Sequence, residues 1–326
     1  MVPNREPEPV ADGPEPCGVL IIDKPLGWTS RDIVNKVGRL LGTRSAGHAG
    51  TLDPQASGVL AVAMGEATKL VPRLMDAGKT YEAEISFGAA TLTDDATGRI
   101  VRQAAVPRPL DKARVQATLD RWLGTHMQVP PQVSALQRDG VRDHKRVRQG
   151  ETVVRAPRPV RFDAAEVLAV VGPVVRVRLQ VGSGFYVRAL ARDLGEALGS
   201  AAHLTGLRRT AGCGFALAES VTLDALVAMS ADARHAALLP LLAVAGRLLP
   251  IAQVDAATAL GLRQGRRVPW LGKDGTELLA VHDETAVAVA RIDAGALLVV
   301  RGFAHPNLQR AAVESQRKAD PAATAA

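Results

Sequence analysis

Strand-length apolar runs alternate with amphipathic helical segments along this chain, but without the strict strand–helix–strand rhythm of a doubly wound fold. The run Gly18–Ile22 and the segment Gly58–Met64 predict buried strands. Apolar and polar residues alternate over Lys79–Phe87, which predicts a half-buried strand. Ser30 is placed to cap an amphipathic helix, and Asp111–Leu123 predicts another. This order of elements favours an α+β fold with helices packed on a mixed sheet.

The second half of the chain continues the same mixture. Strands are predicted at Val174–Val181 and Phe185–Val187, followed by a helix to about Leu198. Strand-like segments then run from Leu207 to Leu217, and helices from Thr222 to about Leu242. No internal repeat interrupts this pattern, so a repeat architecture is not expected.

Length and composition set the domain organisation. With 326 residues, 47% of them hydrophobic, the chain can form one large domain and a small one. The proline-rich, mixed-charge residues 1–16 predict a disordered leader. Pro250 marks a boundary, so we expect a large domain over 17–248 and a small β-rich module over 249–305. The Ala-rich, polar residues 306–326 predict a disordered tail.

Several features bear on the compartment. The two cysteines, Cys17 and Cys213, are far apart in sequence, which excludes a disulfide framework and suits a reducing cytosol. No stretch of about 18 uncharged apolar residues is present, so no membrane span is expected. The acidic N-terminus lacks the apolar segment of a signal peptide. We therefore expect a cytoplasmic protein.

Positive charge is concentrated in one segment. The net charge is +7, and residues 138–161 contain eight Lys or Arg against three Asp or Glu. This run lies in a longer segment, about 124–160, which lacks a sustained period and predicts a long irregular insertion. Two interpretations stay open at this point. The run is either a solvated surface or an arm that contacts the phosphates of a nucleic acid.

Common catalytic motifs are missing from the sequence. The seven histidines form no metal-binding pattern, and neither a phosphate-binding loop with its lysine nor a nucleophile elbow occurs. We therefore expect no metal and no cofactor, and a site built from simpler side chains.

Asp53 is the first candidate for such a site. It lies in the glycine-rich segment Gly47–Pro54, where an Asp followed by proline is typical of an ordinary turn. The same features also suit catalysis, because proline restricts the Asp53 backbone to an extended form and nearby glycines let a ligand approach. An ionised carboxylate can act as a covalent nucleophile without a cofactor.

The two tyrosines of the chain suggest a site for a nucleobase. Tyr81 and Tyr186 each lie two residues before or after a basic residue, Lys79 and Arg188. A tyrosine on a strand is commonly part of the core, but an enzyme acting on a nucleobase must extrude the base and hold it against an aromatic ring. Arg188 could pair with a carboxylate and keep it ionised, or be a surface residue.

Taken in order, these segments resemble the TruB family, the bacterial tRNA pseudouridine-55 synthases. The resemblance covers about residues 17–240 and seven groups of motifs in family order, which makes it highly specific. The matching segments are Asp23-Lys24-Pro25 with Gly27-Trp28-Thr29-Ser30, Gly47–Pro54 with Ala56–Leu60, Gly65–Lys69, Lys79-Thr80-Tyr81, Pro130-Pro131 with Ser134-Ala135, Gly184–Arg188 and Leu207-Arg208-Arg209.

The resemblance implies a fold and a set of roles. The fold is that of the pseudouridine synthases, with a largely antiparallel sheet flanked by helices, a thumb-like insertion that grips RNA, and a C-terminal module similar to a PUA domain. Asp53 matches the nucleophile, Tyr81 the tyrosine stacked on the target base, and Arg188 the arginine paired with the nucleophile. The expected substrate contacts are His48, Tyr186 and Leu207 by position, with Lys24, Arg146 and Arg148 from the first motif and the insertion.

The resemblance also implies a partner, the TΨC stem-loop of tRNA, with no protein partner and a monomeric chain. Gln137 and His144 depart from the family pattern in the insertion, and their effect stays open. Two other functions were weighed. A non-catalytic RNA-binding protein or tRNA-folding chaperone has no use for Asp53. A carboxylate-dependent hydrolase of a small nucleoside has no use for the basic arm.

Overall fold

A computed structural model describes residues 15–131, 137–138, 141–142 and 156–304. In chain order its strands are β1 (Gly18–Lys24), β2 (Ala46–Ala49), β3 (Ala56–Met64), β4 (Lys79–Phe87), β5 (Ala89–Thr91), β6 (Ile100–Gln103), β7 (Gly124–Gln128), β8 (Gln137–Arg138), β9 (Val141–Arg142), β10 (Arg158–Val171), β11 (Val174–Val181), β12 (Ala202–Gly212), β13 (Phe215–Ala216), β14 (Val221–Thr222), β15 (Ile251–Gln253), β16 (Val268–Pro269), β17 (Glu277–His282), β18 (Thr285–Asp293) and β19 (Ala296–Gly302).

The helices lie between these strands. They are α1 (Ser30–Leu40), α2 (Val71–Asp76), α3 (Lys112–Asp120), α4 (Val187–Ala197), α5 (Leu223–Ala228), α6 (Ala231–Ala236), α7 (Leu241–Leu248) and α8 (Ala256–Arg263), with 3-10 turns at Gly65–Leu70 and Leu217–Glu219. In the described ranges, no helix is long and apolar enough to cross a membrane.

A ten-stranded sheet forms the centre of the molecule. Its order is β14-β1-β3-β12-β4-β11-β10-β7, with β2 beside β3 and β13 beside β12. Neighbouring strands are antiparallel except for the pairs β1–β14 and β3–β12. The α+β fold with a mixed, largely antiparallel sheet is therefore confirmed. The register places Leu207 beside Ala56, and Arg209 beside Tyr81, so the beginnings of β3 and β4 flank the middle of β12.

Strand β3 is apolar along almost its whole length because both faces of the sheet are covered there. One face packs against α1 through Leu60, Val62 and Met64. The other face packs against α7 and the C-terminal strands through residues such as Ala61 and Ala63. A strand buried on both faces loses the alternation of polar and apolar residues, and this explains its continuous apolar run.

The helix α1 begins at Ser30, one residue earlier than a cap at Ser30 would place its start. Thr29, not Ser30, is the N-cap: its side chain accepts a hydrogen bond from the Asp32 backbone, and Asp32 accepts from the Thr29 backbone. The Ser30 hydroxyl is instead buried and bonds to both backbone groups of Leu52. The hydroxyl that was predicted to cap the helix thus holds the loop that precedes Asp53.

The C-terminal strands form a separate five-stranded sheet, ordered β15-β17-β18-β19-β16, with α8 packed against it. This confirms the predicted β-rich module. The module is attached to the larger domain by two hydrogen bonds between Arg73 and Glu277, at 2.7 and 3.0 Å, and by one from Lys69 to the Gly302 carbonyl.

Other predicted boundaries were wrong. Phe185 lies in a loop and Val187 begins α4, so no strand occupies 185–187. The 14-residue strand β10 was missed because register shifts near Phe162 and Val167 break its alternation. Residues 124–128 and 158–160, taken as parts of an irregular insertion, are strand residues of the main sheet.

Candidate functional site

A cavity of about 230 Å³ opens at the centre of the large sheet. It lies where the loop before β3, the start of β4, the loop before α4 and the middle of β12 come together. Its volume is just below the usual 300–1,000 Å³ of pockets for drug-sized ligands, which suits a group as small as a nucleobase. Its lining includes the side chains of Asp53, Lys79, Tyr81, Tyr186, Arg188, Leu207 and Arg209.

The Asp53 backbone is held from both sides. Its carbonyl accepts a hydrogen bond from the Ala56 amide at 3.0 Å, closing a tight turn into β3. The next carbonyl, of Pro54, accepts from the Gly27 amide at 2.7 Å. With Leu52 fixed by Ser30, the turn has little freedom, and the Asp53 side chain, 36% exposed, faces the cavity. The turn predicted at Asp53-Pro54 is therefore also the segment that places the Asp53 carboxylate at the cavity.

Arg188 is the cation that pairs with Asp53. Its Nε lies 3.0 Å from the Asp53 Oδ2, and its side chain is only 8% exposed. The position follows from the fold, because Arg188 is the second residue of α4, whose apolar side packs into the core below the pocket. Burial in such surroundings strengthens the attraction between the two charges.

A second carboxylate holds Arg188 from behind. The Arg188 Nη1 donates to the Thr93 carbonyl at 3.1 Å and lies 3.6 Å from the Asp95 Oδ2. Asp95 is almost fully buried, and its other oxygen accepts bonds from the Thr93 and Thr97 hydroxyls at 2.7 and 2.6 Å. The guanidinium is held at two of its nitrogens, Nε and Nη1. Its orientation is therefore fixed, and Asp95 and Thr93 determine where Arg188 points.

Asp95 was missed in the sequence analysis. Its segment, Thr91–Gly98, is rich in hydroxyl and carboxyl side chains, and this density was a signal that could have been followed. The contact with Arg188 spans more than 90 residues, however, and spacing along the chain does not reveal a pairing of that kind.

The neighbouring residue, Asp94, is a buried carboxylate of a different kind. It adopts a left-handed backbone conformation, with φ of 60°, and accepts a bond from Arg192 at 3.0 Å. Burial raises the pKa of Asp94 to about 6, although the charges of Arg192 and Arg188 oppose this effect.

Asp94 should therefore make stability depend on pH. Because the folded protein holds this proton more tightly than the unfolded chain, the free energy of unfolding falls as pH rises from about 4 through about 6. Asp94→Asn keeps the shape and tolerates the left-handed backbone, but removes the titration. We expect wild type to lose about 2 kcal/mol relative to Asp94→Asn between pH 4.5 and 7.5, measured by urea unfolding. A difference that stays constant with pH would show that Asp94 does not titrate in this range.

Three further predicted residues form walls of the cavity. Tyr81 is buried on β4, and Leu207 lies on β12, which pairs with the same strand. Tyr186 is the N-cap residue of α4, and the Arg158 guanidinium lies 5.0 Å from the centre of its ring. The structure thus brings Asp53, Tyr81, Arg188, Tyr186 and Leu207 together around one space, although they are spread over more than 150 residues of chain.

Two predicted substrate contacts lie elsewhere. Lys24 is fully buried and does not line the cavity; its ammonium donates to the Pro25 and Trp28 carbonyls at 3.0 and 2.7 Å. Burial lowers the pKa of Lys24 to about 8, the charge of Asp53 opposing this and that of Arg209 adding to it. In this structure the Lys24 ammonium braces the turn that contacts Pro54.

His48 lies on β2, beside the cavity but outside its lining. Burial lowers the pKa of His48, and the charges of Arg31 and Arg209 lower it further, so the imidazole is neutral at neutral pH. Its Nδ1 is buried and has no hydrogen-bond partner among the residues that the structure describes.

Arg209 is a pocket residue whose importance the sequence analysis did not anticipate. Its side chain is buried, and it donates to the Val59 and Gly50 carbonyls at 2.6 and 3.1 Å. Strands β3 and β12 approach so closely here that a Cβ at Gly58 would lie 2.1 Å from the Arg209 carbonyl. Arg209, Arg188 and Lys79 give the cavity three basic side chains around one carboxylate, which suits an anionic ligand.

The basic insertion lies largely outside the residues that the structure describes. Arg146, Arg148 and His144 lie outside the described residues. Gln137 belongs to the two-residue strand β8, which pairs with β9. Among the residues described, no group of three or more His, Cys, Asp or Glu is arranged to hold a metal ion.

Two family models match this chain. The TruB family pseudouridylate synthase N-terminal domain matches residues 38–187, and the tRNA pseudouridylate synthase B C-terminal domain matches residues 188–251. A tRNA pseudouridine synthase B of Burkholderia mallei is 41% identical over 297 residues, covering 87% of this chain and 97% of the relative. The protein of the same name from Ralstonia pickettii is 42% identical over 256 residues, covering 77% and 80%.

Solved structures show the same fold. A Cbf5–Nop10–Gar1 complex contains a chain that matches with a TM-score of 0.69 at 25% identity, covering 90% of this chain and 87% of that one. An H/ACA RNP bound to a substrate RNA containing 2'-deoxyuridine gives 0.66 at 23% identity, covering 89% and 86%. The likeness covers about nine-tenths of this chain.

Proposed function

This chain belongs to the TruB family of pseudouridylate synthases, and on that basis we propose that it isomerises uridine-55 in the TΨC loop of tRNA, with Asp53 as the nucleophile. One observation carries the proposal. The Asp53 carboxylate faces a nucleobase-sized cavity, fixed by Arg188 at 3.0 Å and lined by Tyr81. A carboxylate in this position can reach a base or its sugar without a cofactor.

The reaction rearranges bonds within one nucleotide. The bond between N1 of uracil and C1′ of ribose breaks, and a bond between C5 and C1′ forms. The hydrogen on C5 leaves as a proton, and N1 gains one, so nothing is oxidised or reduced. Asp53 either adds to the uracil ring or attacks C1′, and both routes use the same carboxylate. In either case Arg188 pairs with that carboxylate and aims it at the substrate.

The target base must first leave its stack, which costs a few kcal/mol. Tyr81 supplies an aromatic face for the extruded base, and its hydroxyl is placed to assist the proton transfer at C5. Tyr186 and Leu207 close the other sides of the cavity. We assign to His48 the space that the flipped nucleotide vacates, where a neutral imidazole adds no charge that would have to be desolvated.

We further propose that the chain acts on tRNA as a monomer in the cytoplasm. We place Asp53, Tyr81 and Arg188 in the 17–248 domain as the catalytic group, and assign the 249–305 module to RNA binding.

The direct test is to map pseudouridine in an unmodified tRNA transcript after incubation with the protein. We expect modification at position 55, and none in a transcript that carries cytidine there. Free uridine should be unchanged, since a nucleoside lacks the phosphates on which binding depends. Cleavage of free uridine would instead support a nucleoside hydrolase, and tight tRNA binding without any modification would support a chaperone.

The basic insertion should supply phosphate contacts. Replacing Arg146 and Arg148 with Gln removes two positive charges, so the slope of log Kd against log salt should become shallower by about 1.5. Tritiated tRNA and filter binding between 50 and 300 mM salt measure this slope. Modification at saturating enzyme should change little, because phosphate contacts position the RNA and do not act on the base.

A matched control removes the same charge from another surface. Arg176 and Arg178 lie on β11 and pair with Glu82, Glu84 and Glu166 on the face opposite Tyr81. Their double replacement with Gln should leave the slope almost unchanged. If the slope of log Kd against log salt were the same for both double variants, Arg146 and Arg148 would belong to an ordinary solvated surface.

A further inference from the structure

Two strands flank the insertion and end beside the pocket. The strands β7 and β10 pair antiparallel, and the last residue of β7, Gln128, lies directly opposite the first residue of β10, Arg158. Both side chains reach the loop Gly184–Tyr186, which forms one wall of the cavity.

Gln128 is bound to Tyr186 in both directions. Its side chain is 1% exposed; its Nε2 donates to the Tyr186 carbonyl at 3.0 Å, and its Oε1 accepts from the Tyr186 amide at 2.9 Å. Tyr186 is the N-cap of α4 but makes no capping bond with its own side chain. The side-chain amide of Gln128, which lies on a strand distant in sequence, therefore supplies hydrogen-bond partners to the backbone at the start of this helix.

Arg158 holds the same loop from the other strand. Its Nη2 donates to the Gly184 carbonyl at 2.6 Å, and its guanidinium lies 5.0 Å from the centre of the Tyr186 ring. Such a cation beside an aromatic ring restricts how the ring can turn. The backbone and the ring of Tyr186 are thus each fixed by one member of the pair.

We propose that Gln128 and Arg158 are positioning residues for the reaction. They set the start of α4, so they determine where the Tyr186 ring lies and, two residues later, where Arg188 meets Asp53. This inference rests on the proposed function, because it assigns the pair to the isomerisation step and not to RNA affinity. The Gln128 side chain is 1% exposed and bonded to Tyr186, so its amide is not available to a ligand.

The test compares Gln128→Leu with wild type in single-turnover conversion of tRNA. Leucine keeps the volume but leaves two backbone groups of Tyr186 without this partner. We expect the rate at saturating enzyme to fall about 10- to 100-fold, since a displacement of about 1 Å at a reacting group can cost this much. The Kd for tRNA should stay within about threefold.

Gln116 provides a matched control. It also binds backbone in both directions, donating to the Ala165 carbonyl and accepting from the Val167 amide, both at 2.9 Å, but it lies on α3, outside the lining of the pocket. Gln116→Leu should lower thermal stability by a similar amount and leave the rate within about twofold. Equal loss of rate in both variants would mean that Gln128 only stabilises the fold, and would overturn the proposal.

A second measurement identifies the residue through which Gln128 acts. If it works through Arg188, then Gln128→Leu should cost much less in an Arg188→Lys background than in wild type, because the orientation is already lost. Full additivity contradicts that route. Should the leucine variant fail to fold, Gln128→Glu, which keeps the acceptor and loses the donor, should still lose at least about fivefold relative to Gln116→Glu. Wild type without activity would instead refute the proposed function itself.

Discussion

Replacing Asp53 with asparagine is expected to lower the rate of pseudouridine formation by at least about 10⁴-fold, because removal of a nucleophile costs losses of this order in other enzymes. Asparagine has nearly the same size and can still accept a hydrogen bond from Arg188, so the pocket should keep its shape. Affinity for tRNA should stay within about threefold, since binding depends mainly on phosphate contacts. Single-turnover assays with nucleoside analysis, together with filter binding, measure both quantities.

The control for this experiment is Asp163→Asn, which changes the same type of residue at an exposed ion pair with Arg161. It should convert tRNA at the wild-type rate. If Asp53→Asn also retained more than about a tenth of that rate, the carboxylate would have no chemical role, and the nucleophile would have to be found elsewhere in the pocket.

The second large effect is expected from Arg188→Lys, which should reduce the rate about 10²- to 10³-fold. The guanidinium faces Asp53 through Nε, and the Thr93 carbonyl and Asp95 through Nη1. A lysine ammonium is a single point charge and cannot occupy both places, so Asp53 or Asp95 loses its close partner.

Arg192→Lys is the matched control, because Arg192 lies one turn later on the same helix and also binds carboxylates, Asp94 and Asp193. It should affect stability more than rate. A wild-type rate for Arg188→Lys would exclude the pairing role, and equal losses of rate for the two variants would reduce it to a structural one.

Local patterns predicted the elements whose environment is uniform along their length. The alternation over β4 and the apolar run of β1 correspond to strands at Lys79–Phe87 and Gly18–Lys24. Patterns failed where tertiary structure decides. Strand β10 carries register shifts, and the apolar Phe185-Tyr186-Val187 enters a helix capped by the distant Gln128. No window of neighbouring residues contains that information.

The residues of the site likewise fall into those that the sequence predicted and those that depend on tertiary contacts. Asp53, Tyr81 and Arg188 were selected from residue chemistry together with family motifs, and the structure places them around one cavity. Asp95 was not selected, because its role depends on a contact with Arg188 that only the folded chain reveals. Lys24 was expected at the substrate because it belongs to a motif, yet burial turns its ammonium toward backbone carbonyls. A motif identifies a residue type at a position, whereas burial decides what that residue contacts.

The central claim is that this chain isomerises one uridine of tRNA through Asp53, and tritium release tests it most directly. A tRNA transcript with tritium at C5 of every uridine loses the label only where C5 becomes bonded to ribose. We predict that wild type releases one equivalent per tRNA, and that neither Asp53→Asn with this transcript nor wild type with a transcript carrying cytidine at position 55 releases any. Release by Asp53→Asn at the wild-type rate, or undiminished release from the transcript without uridine-55, would contradict the account.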